Sequence, residues 1–316
     1  MRIIGDQNHN DNYLYLKFMQ THDAYRRRLL QAMAVLPWWL SQRAAAALVP
    51  DAARVIALEW RPAELLLALG VTPLAIADVP NYRRWVVAPA LPPSVLDLGL
   101  RNEPNMEAMQ RLRPSLILLS DGFGPAPDSV APIAPTMTFR FSRQGDRPLA
   151  VARQDITSLA GRLGLPGRAA LHFAAIERQL DHTRQRLASL ASPLPPVLLF
   201  SFIDSRRIMV IGQNSLFQDV LDRVGVVNAW DGDENIWGSA TVGLERLGQF
   251  RGVRAICFHR GEQDPLAEVA GSTLWRTLPF VRERQLRVMP AVWFFGATIA
   301  AMRFSQVLEQ AMGPRA

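Results

Sequence analysis

The sequence predicts an α/β fold of two lobes bridged by a long, rigid helix, with a cleft between the lobes. Three observations lead there. Short apolar runs alternate with helical stretches from residue 52 onward, the pattern of strands feeding helices. The alternation restarts after residue 196 with similar local detail. The segment joining the two halves reads as an amphipathic helix, not as a polar or Gly/Ser-rich linker.

Composition agrees. A chain of 316 residues, 49% of them apolar, can bury one large core or two of ordinary size. The formal net charge is +7, but residues 1–46 hold Lys17 and five arginines against three aspartates. The remainder carries 29 basic and 25 acidic residues, near +4, and no lysine. Its arginines are scattered among acids, without an RNP, zinc-finger or basic-helix pattern, so no nucleic-acid partner is expected. The single cysteine, Cys257, lies in the apolar run AICFH and reads as a buried small hydrophobe.

Residues 1–47 read as an export signal with an upstream extension. Arg26, Arg27 and Arg28 are its basic region, Leu29 to Leu40 its apolar stretch broken by Pro37, and Ala44 to Ala47 its cleavage region. The stretch is shorter than the roughly 20 residues of a spanning helix. Arginines directly before Leu29-Leu30 suggest the twin-arginine route. Cys257 is far from the cleavage region, which excludes a lipid anchor there. A soluble periplasmic protein beginning near Leu48 is expected.

The first lobe is expected over 48–146. RVIAL (54–58) is a buried-strand run, and PAELLLALG (62–70) has Pro at its helical start and Gly at its end. LAIA, VLDLG, a helix from Pro104 and the strand SLILL (115–119) follow. In the bridge, 147–166, Leu149, Ala152, Ile156, Leu159 and Leu163 form one stripe. The second lobe is expected over 167–316, opening with a helix near Arg168–Leu190 and closing with one over Thr298–Met312. Between them, VLLFSFI and RIMVIG read as strands. LFQDVLDRVGV (216–226) resembles AELLLALGV (63–71), with Asp219 and Glu64 each six residues before a Gly-Val pair. GSATVGLERLGQFRGVRAICFH (238–259) resembles GLRNEPNMEAMQRLRPSLILLS (99–120). In both, a Gly-led loop precedes a helix with a glutamate in its first turn, Glu107 or Glu245. This supports two lobes of similar build.

Six tryptophans lie beyond the signal: Trp60, Trp85, Trp230, Trp237, Trp275 and Trp293. Trp60, Trp237 and Trp293 sit at strand-to-helix turns, the edge where open α/β sheets bind ligands. Phe294 and Phe295 stand beside Trp293. The set points to an aromatic cleft, whereas Trp275 in TLWRTLPF reads as core. Arg101 lies on a turn between a strand end and a helix start. Spacing alone allows two roles for it, a surface pair with Glu103 or Asp97, or a donor aimed into the cleft. Enzyme chemistry finds no support. No GxSxG, HExxH, Walker loop or GxGxxG occurs, His172 and His182 read as solvated helix residues, and only His259 ends a strand.

The blocks RVIALEW, LLLALG, NYRRWV, LGLRNEPN, GFGPAPD, NSLFQ, NAWDGDENIWGS, TLWRTLPFVR and PAVWFFGAT resemble the FhuD family of periplasmic ferric hydroxamate siderophore-binding proteins. These belong to the helical-backbone class of ABC-transporter substrate-binding proteins. The resemblance spans nearly all of the mature chain and implies a shallow aromatic cleft between bridged lobes. It implies that Arg101 bonds the hydroxamate oxygens. Phe123 in GFGP stands where the family has a tyrosine. Trp85 and Trp237 match wall positions, with Asn235, Trp293, Phe294, Phe295 and Trp60 as further candidates. It implies that Glu107 and Glu245 dock on arginines of an inner-membrane ABC permease. Iron would be held by the siderophore alone, with no cofactor and no protein metal ligand, and the protein would act as a monomer. The same fold binding a catecholate, haem or cobalamin, or an enzyme with His259 and a carboxylate in a deep pocket, are the alternatives.

Overall fold

The computed structural model describes residues 49–142, 145–190, 193–259 and 265–314, so the expected export signal lies outside the described residues. Among those residues, Pro50 onward forms one unit that carries both lobes. In the first lobe, β1 (Val55–Ala57), β2 (Ala75–Ile76), β3 (Leu96–Asp97), β4 (Leu116–Ser120) and β5 (Thr136–Phe139) form an all-parallel sheet in the order 3-2-1-4-5. A parallel sheet is covered on both faces, which is why β1 and most of β4 are unbroken apolar runs. Helices α1 (Trp60–Ala68), α2 (Val79–Trp85), α3 (Met106–Leu112) and α4 (Pro127–Val130) make the crossovers.

Two helices join the lobes. α5 (Pro148–Leu163) ends at Gly164, whose left-handed φ of 68° closes the helix, and Pro166 opens α6 (Pro166–Ala188). α5 packs Ile156, Leu159 and Leu163 into the first lobe's core. α6 starts in that same core with Ala169 and runs into the second lobe's core through Ile176, Leu180 and Leu187. The expected bridge is thus one arm of a helical hairpin, and the longer arm also crosses between cores. His172 on α6 is not solvated as expected. Its Nε2 lies 2.7 Å from Thr298 Oγ1, and burial followed by nearby Arg153 lowers its pKa.

In the second lobe, β6 (Val197–Phe202), β7 (Arg207–Ile211), β8 (Ser239–Gly243), β9 (Arg254–His259) and β10 (Leu286–Pro290) form a sheet in the order 10-9-6-7-8. β6, β9 and β10 are parallel, β7 runs antiparallel beside β6, and β8 pairs antiparallel with β7 at the sheet edge. The echo between the halves is therefore partial. The stretch expected as a loop before a helix is strand β8, and the helix is a 3-10 segment, Leu244–Gln249. The remaining helices are α7 (Leu216–Val224), α8 (Leu266–Val269), α9 (Thr273–Thr277), α10 (Pro279–Arg282) and α11 (Thr298–Met312). Cys257 is fully buried and in no disulfide among the described residues, as the AICFH run predicts, and Trp275 is core.

The paired acids six residues before each Gly-Val have matching jobs. Neither α5 nor α11 caps its own N-terminus with a side chain. Glu64, on α1, instead accepts from the amides of Ala297 (2.9 Å) and Ala300 (2.8 Å) at the start of α11. Asp219, on α7, accepts from Leu149 N (2.7 Å) at the start of α5 and pairs with Arg147 at 2.6 Å. A carboxylate at a helix N-terminus satisfies orphan amides and opposes the helix dipole. Here each cap comes from a helix distant in sequence, so it fastens the spine to the lobes. Burial raises both carboxyls above their ordinary values despite these donors.

Candidate functional site

A groove between the lobes holds two adjoining cavities, of about 420 Å³ and 310 Å³. Arg101, Trp293 and Phe295 line both and so form the ridge where they meet. The larger cavity is walled by Trp85 and Asn81 of the first lobe and by Ile203, Met209 and Phe258 of the second. The smaller one is walled by Phe123, Phe141 and Trp237, with Glu59, Ser120 and Asp121. Phe141, Trp237, Phe295 and Trp293 form a chain of ring contacts with centroids 5.3 to 6.0 Å apart. Edge-to-face contacts of this kind hold the wall rigid without filling the groove.

Arg101 is set by four neighbours. Its guanidinium carbon lies 3.6 Å from the ring centroid of Trp60 and 4.8 Å from that of Phe123. Its Nη1 donates to Glu59 Oε1 at 2.8 Å, and its Nε stands 3.8 Å from Asp78 Oδ2. Nη2 makes no hydrogen bond among the described residues. Glu59 is also the N-cap of α1, accepting from Arg61 N at 2.7 Å, and it accepts from Ser120 Oγ at 3.3 Å. Asp78 adopts a left-handed backbone (φ 60°), a costly conformation for a non-glycine, and holds Asn81 Nδ2 at 3.0 Å. The two acids therefore present one cation with a free donor edge to the groove. The expected surface pair with Asp97 or Glu103 does not form. Asp97 Oδ1 instead accepts from the amides of Val79 and Gly99.

Trp85 and Trp237 lie on the two cavities from opposite lobes, and Phe123, Trp293 and Phe295 face them as well. Three candidates stand differently. Trp60 is 2% exposed, because its indole Nε1 donates to Ala77 O at 3.1 Å inside the first lobe. It lines the larger cavity as the platform under Arg101. Phe294 lines the larger cavity but is 8% exposed and packs on Phe217 and Phe258 in the second core. Asn235 lines neither cavity. Its Oδ1 accepts from Trp237 N at 2.8 Å and its Nδ2 donates to Ser239 Oγ, so it shapes the loop that presents Trp237. Gly238 completes that turn at φ 71°, where a Cβ would collide with the backbone of Ser215.

Sequence reasoning missed Glu59, Asp78, Asn81, Phe141, Ile203 and Met209. Phe141 follows β5, so the rule that ligands gather at the carboxyl ends of parallel strands could have found it. Ile203 and Met209 sit on or beside an antiparallel hairpin, where that rule does not apply. Arg61, 3% exposed, reaches the smaller cavity from below. It sits 2.8 Å from Asp155 of α5, but off-axis, so its guanidinium nitrogens make no hydrogen bond. His259 lines a separate, open, basic cavity, and among the described residues no carboxylate lines it. The pairing an enzyme would need is not assembled there.

A family profile described as periplasmic binding protein matches residues 55–292. The iron(3+)-hydroxamate-binding protein FhuD of Escherichia coli (strain K12) is 44% identical over 293 residues, 92% of this chain and 97% of that protein. The Fe3+-Desferal-bound siderophore-binding protein FhuD of Vibrio cholerae superposes with a TM-score of 0.75 at 27% identity, covering 83% of this chain and 98% of that one. FhuD2 of Staphylococcus aureus with bound ferrioxamine B gives a TM-score of 0.64 at 15% identity, over 82% and 97% of the two chains. That likeness speaks to the fold alone.

Proposed function

The chain belongs to the periplasmic binding protein family, and from that premise we propose that it captures iron(III)-hydroxamate siderophores in this groove and delivers them, as a monomer, to an inner-membrane ABC importer. It is a substrate-binding protein, not an enzyme. The observation that carries the ligand class is Arg101, flat on Trp60 at the ridge between two aromatic cavities, with Nη2 unengaged. Three hydroxamates neutralise one ferric ion and fill its six positions. Such a complex needs no protein ligand to iron. It needs an apolar cleft for its body and a donor for oxygens that carry partial negative charge. The aromatic walls supply the first and Arg101 the second.

Charge separates this reading from a catecholate. A trianionic core would require several cations converging inside the groove itself, yet the basic residues lining its two cavities are Arg101, flanked by Glu59 and Asp78, and Arg61, which is 3% exposed and lies beside Asp155. Titration followed by tryptophan fluorescence should show saturable quenching by a ferric tris-hydroxamate and none by a ferric tris-catecholate at equal concentration. Equal or tighter catecholate binding would refute the ligand class.

Export to the periplasm by the twin-arginine route is part of the same proposal, resting on residues 26–30. So is permease docking through Glu107 and Glu245, both exposed and each in the first turn of its helical segment. Glu107 makes only a long i,i+4 contact of 3.5 Å to Arg111, a pair worth little at an exposed site, so its carboxylate is available to a partner's arginine. A doubly charge-reversed variant, Glu107→Arg with Glu245→Arg, should bind the chelate like the wild type and fail to support uptake in cells. Normal uptake would remove the docking role.

A further inference from the structure

Beside the groove lies the basic cavity, of about 530 Å³, with walls from both lobes. Arg83 and Arg84 at the end of α2 face His259 at the end of β9 and Arg303 on α11. Its floor is Val288 to Ala291, and Ala291 also lines the larger cavity of the groove. Among the described residues no carboxylate lines it, and neither Arg83 nor Arg303 has an acid within ion-pair distance. Arg303 is the telling member. It is half-buried, its Nε is sealed from solvent without a partner, and its one hydrogen bond is from Nη2 to Ala291 O at 3.2 Å. A desolvated guanidinium without a counter-charge is unfavourable, and burial lowers its pKa with no acid opposing. Such a group is stabilised when an anion enters.

We propose that this cavity is a subsite for a carboxylate carried on an arm of the bound chelate, so that the protein prefers ferric hydroxamates with a pendant acid. The assignment rests on the hydroxamate reading of the groove and deepens it. The neutral iron core sits against the aromatic walls, and the arm passes Ala291 to reach Arg83 and Arg303. Arg84 and His259 complete the lining at the rim. Arg83 comes from the first lobe and Arg303 from the C-terminal helix, so an arm seated between them also ties the two together across the mouth.

The test uses three forms of one chelate, ferrioxamine B with its free ammonium arm, its N-acetyl derivative and its N-succinyl derivative. They share the same iron core and differ in the charge of the arm. Calorimetric titration should find the succinyl form bound about tenfold tighter than the acetyl form at low salt, with the gap narrowing as salt rises. In Arg83→Gln with Arg303→Gln the gap should close while acetyl-form affinity stays. Arg83→Gln alone, at an exposed position that leaves the Arg303–Ala291 bond intact, should close it in part and guards against a folding defect. Equal affinity of the two forms in the wild type, or a gap that persists in the double variant, would overturn the subsite. Failure of all three forms to bind would overturn the hydroxamate reading, and the subsite with it.

Discussion

Arg101→Ala is expected to weaken ferric hydroxamate binding by roughly 10- to 100-fold, the worth of one charge-assisted hydrogen bond in a partly desolvated cleft. Two effects act in the same direction. The variant loses the donor edge, and it leaves Glu59 and Asp78 facing the ligand's electron-rich oxygens without their cation. The fold should survive, since Glu59 keeps its bonds to Arg61 N and Ser120 Oγ. Arg101→Lys should fall between the two. It keeps the charge but not the planar fork that lies on Trp60 and divides its nitrogens between protein and ligand. Binding of Arg101→Ala within about twofold of wild type would end the role assigned to this residue.

The second large effect is on stability. Glu64→Ala should destabilise the protein by about 3–5 kcal/mol, because it strands the buried amides of Ala297 and Ala300 and removes the cap of α11. The wall segment Trp293–Phe295 lies immediately before that cap, so ligand affinity should drop as well. The pH dependence has a definite sign. Burial dominates the carboxyl, ahead of the amides of Ala300 and Ala297 and the charge of Arg61, and holds its pKa above the ordinary 4.5. The native state therefore binds more protons than the unfolded chain in the window between 4.5 and the raised value. Stability from this group is fullest below the ordinary value and is lost as pH rises through the raised one. Glu64→Gln should lack that slope. Urea denaturation of wild type and variant between about pH 4 and pH 8 reads it directly. Parallel slopes would show that Glu64 does not titrate in that window.

Much of this was legible in the chain, and the failures share a cause. Pro/Gly punctuation locates α1, a regular apolar stripe locates α5, and α7 shows as an echo of the α1 sequence. The Glu64 and Asp219 correspondence was visible as spacing alone, though nothing in spacing says what each acid caps. Arg101 stands out by its place on a turn, but spacing offers it only near neighbours as partners. The acid that holds it, Glu59, is 42 residues away and reaches it because β2 pairs with β1 on one side and β3 on the other, which sets the ends of β1 and β3 close together. Trp60 was expected to face the cleft from its position after a strand. It does line the larger cavity, but the indole's need for an acceptor, met by Ala77 O, leaves it 2% exposed. Phe294 went the same way, into the ring cluster of Phe217, Phe258 and Phe304. Local pattern places a residue at an edge, whereas packing decides which side of the edge it takes.

The most direct measurement is a crystal structure of the protein soaked with a ferric tris-hydroxamate. The expected result is an iron-bound hydroxamate oxygen within hydrogen-bond distance of Arg101 Nη2, with the chelate held between Trp85 and Trp237. A chelate seated elsewhere on the surface, or one in the groove whose oxygens ignore Arg101 while the guanidinium keeps only Glu59 and Asp78, would contradict it.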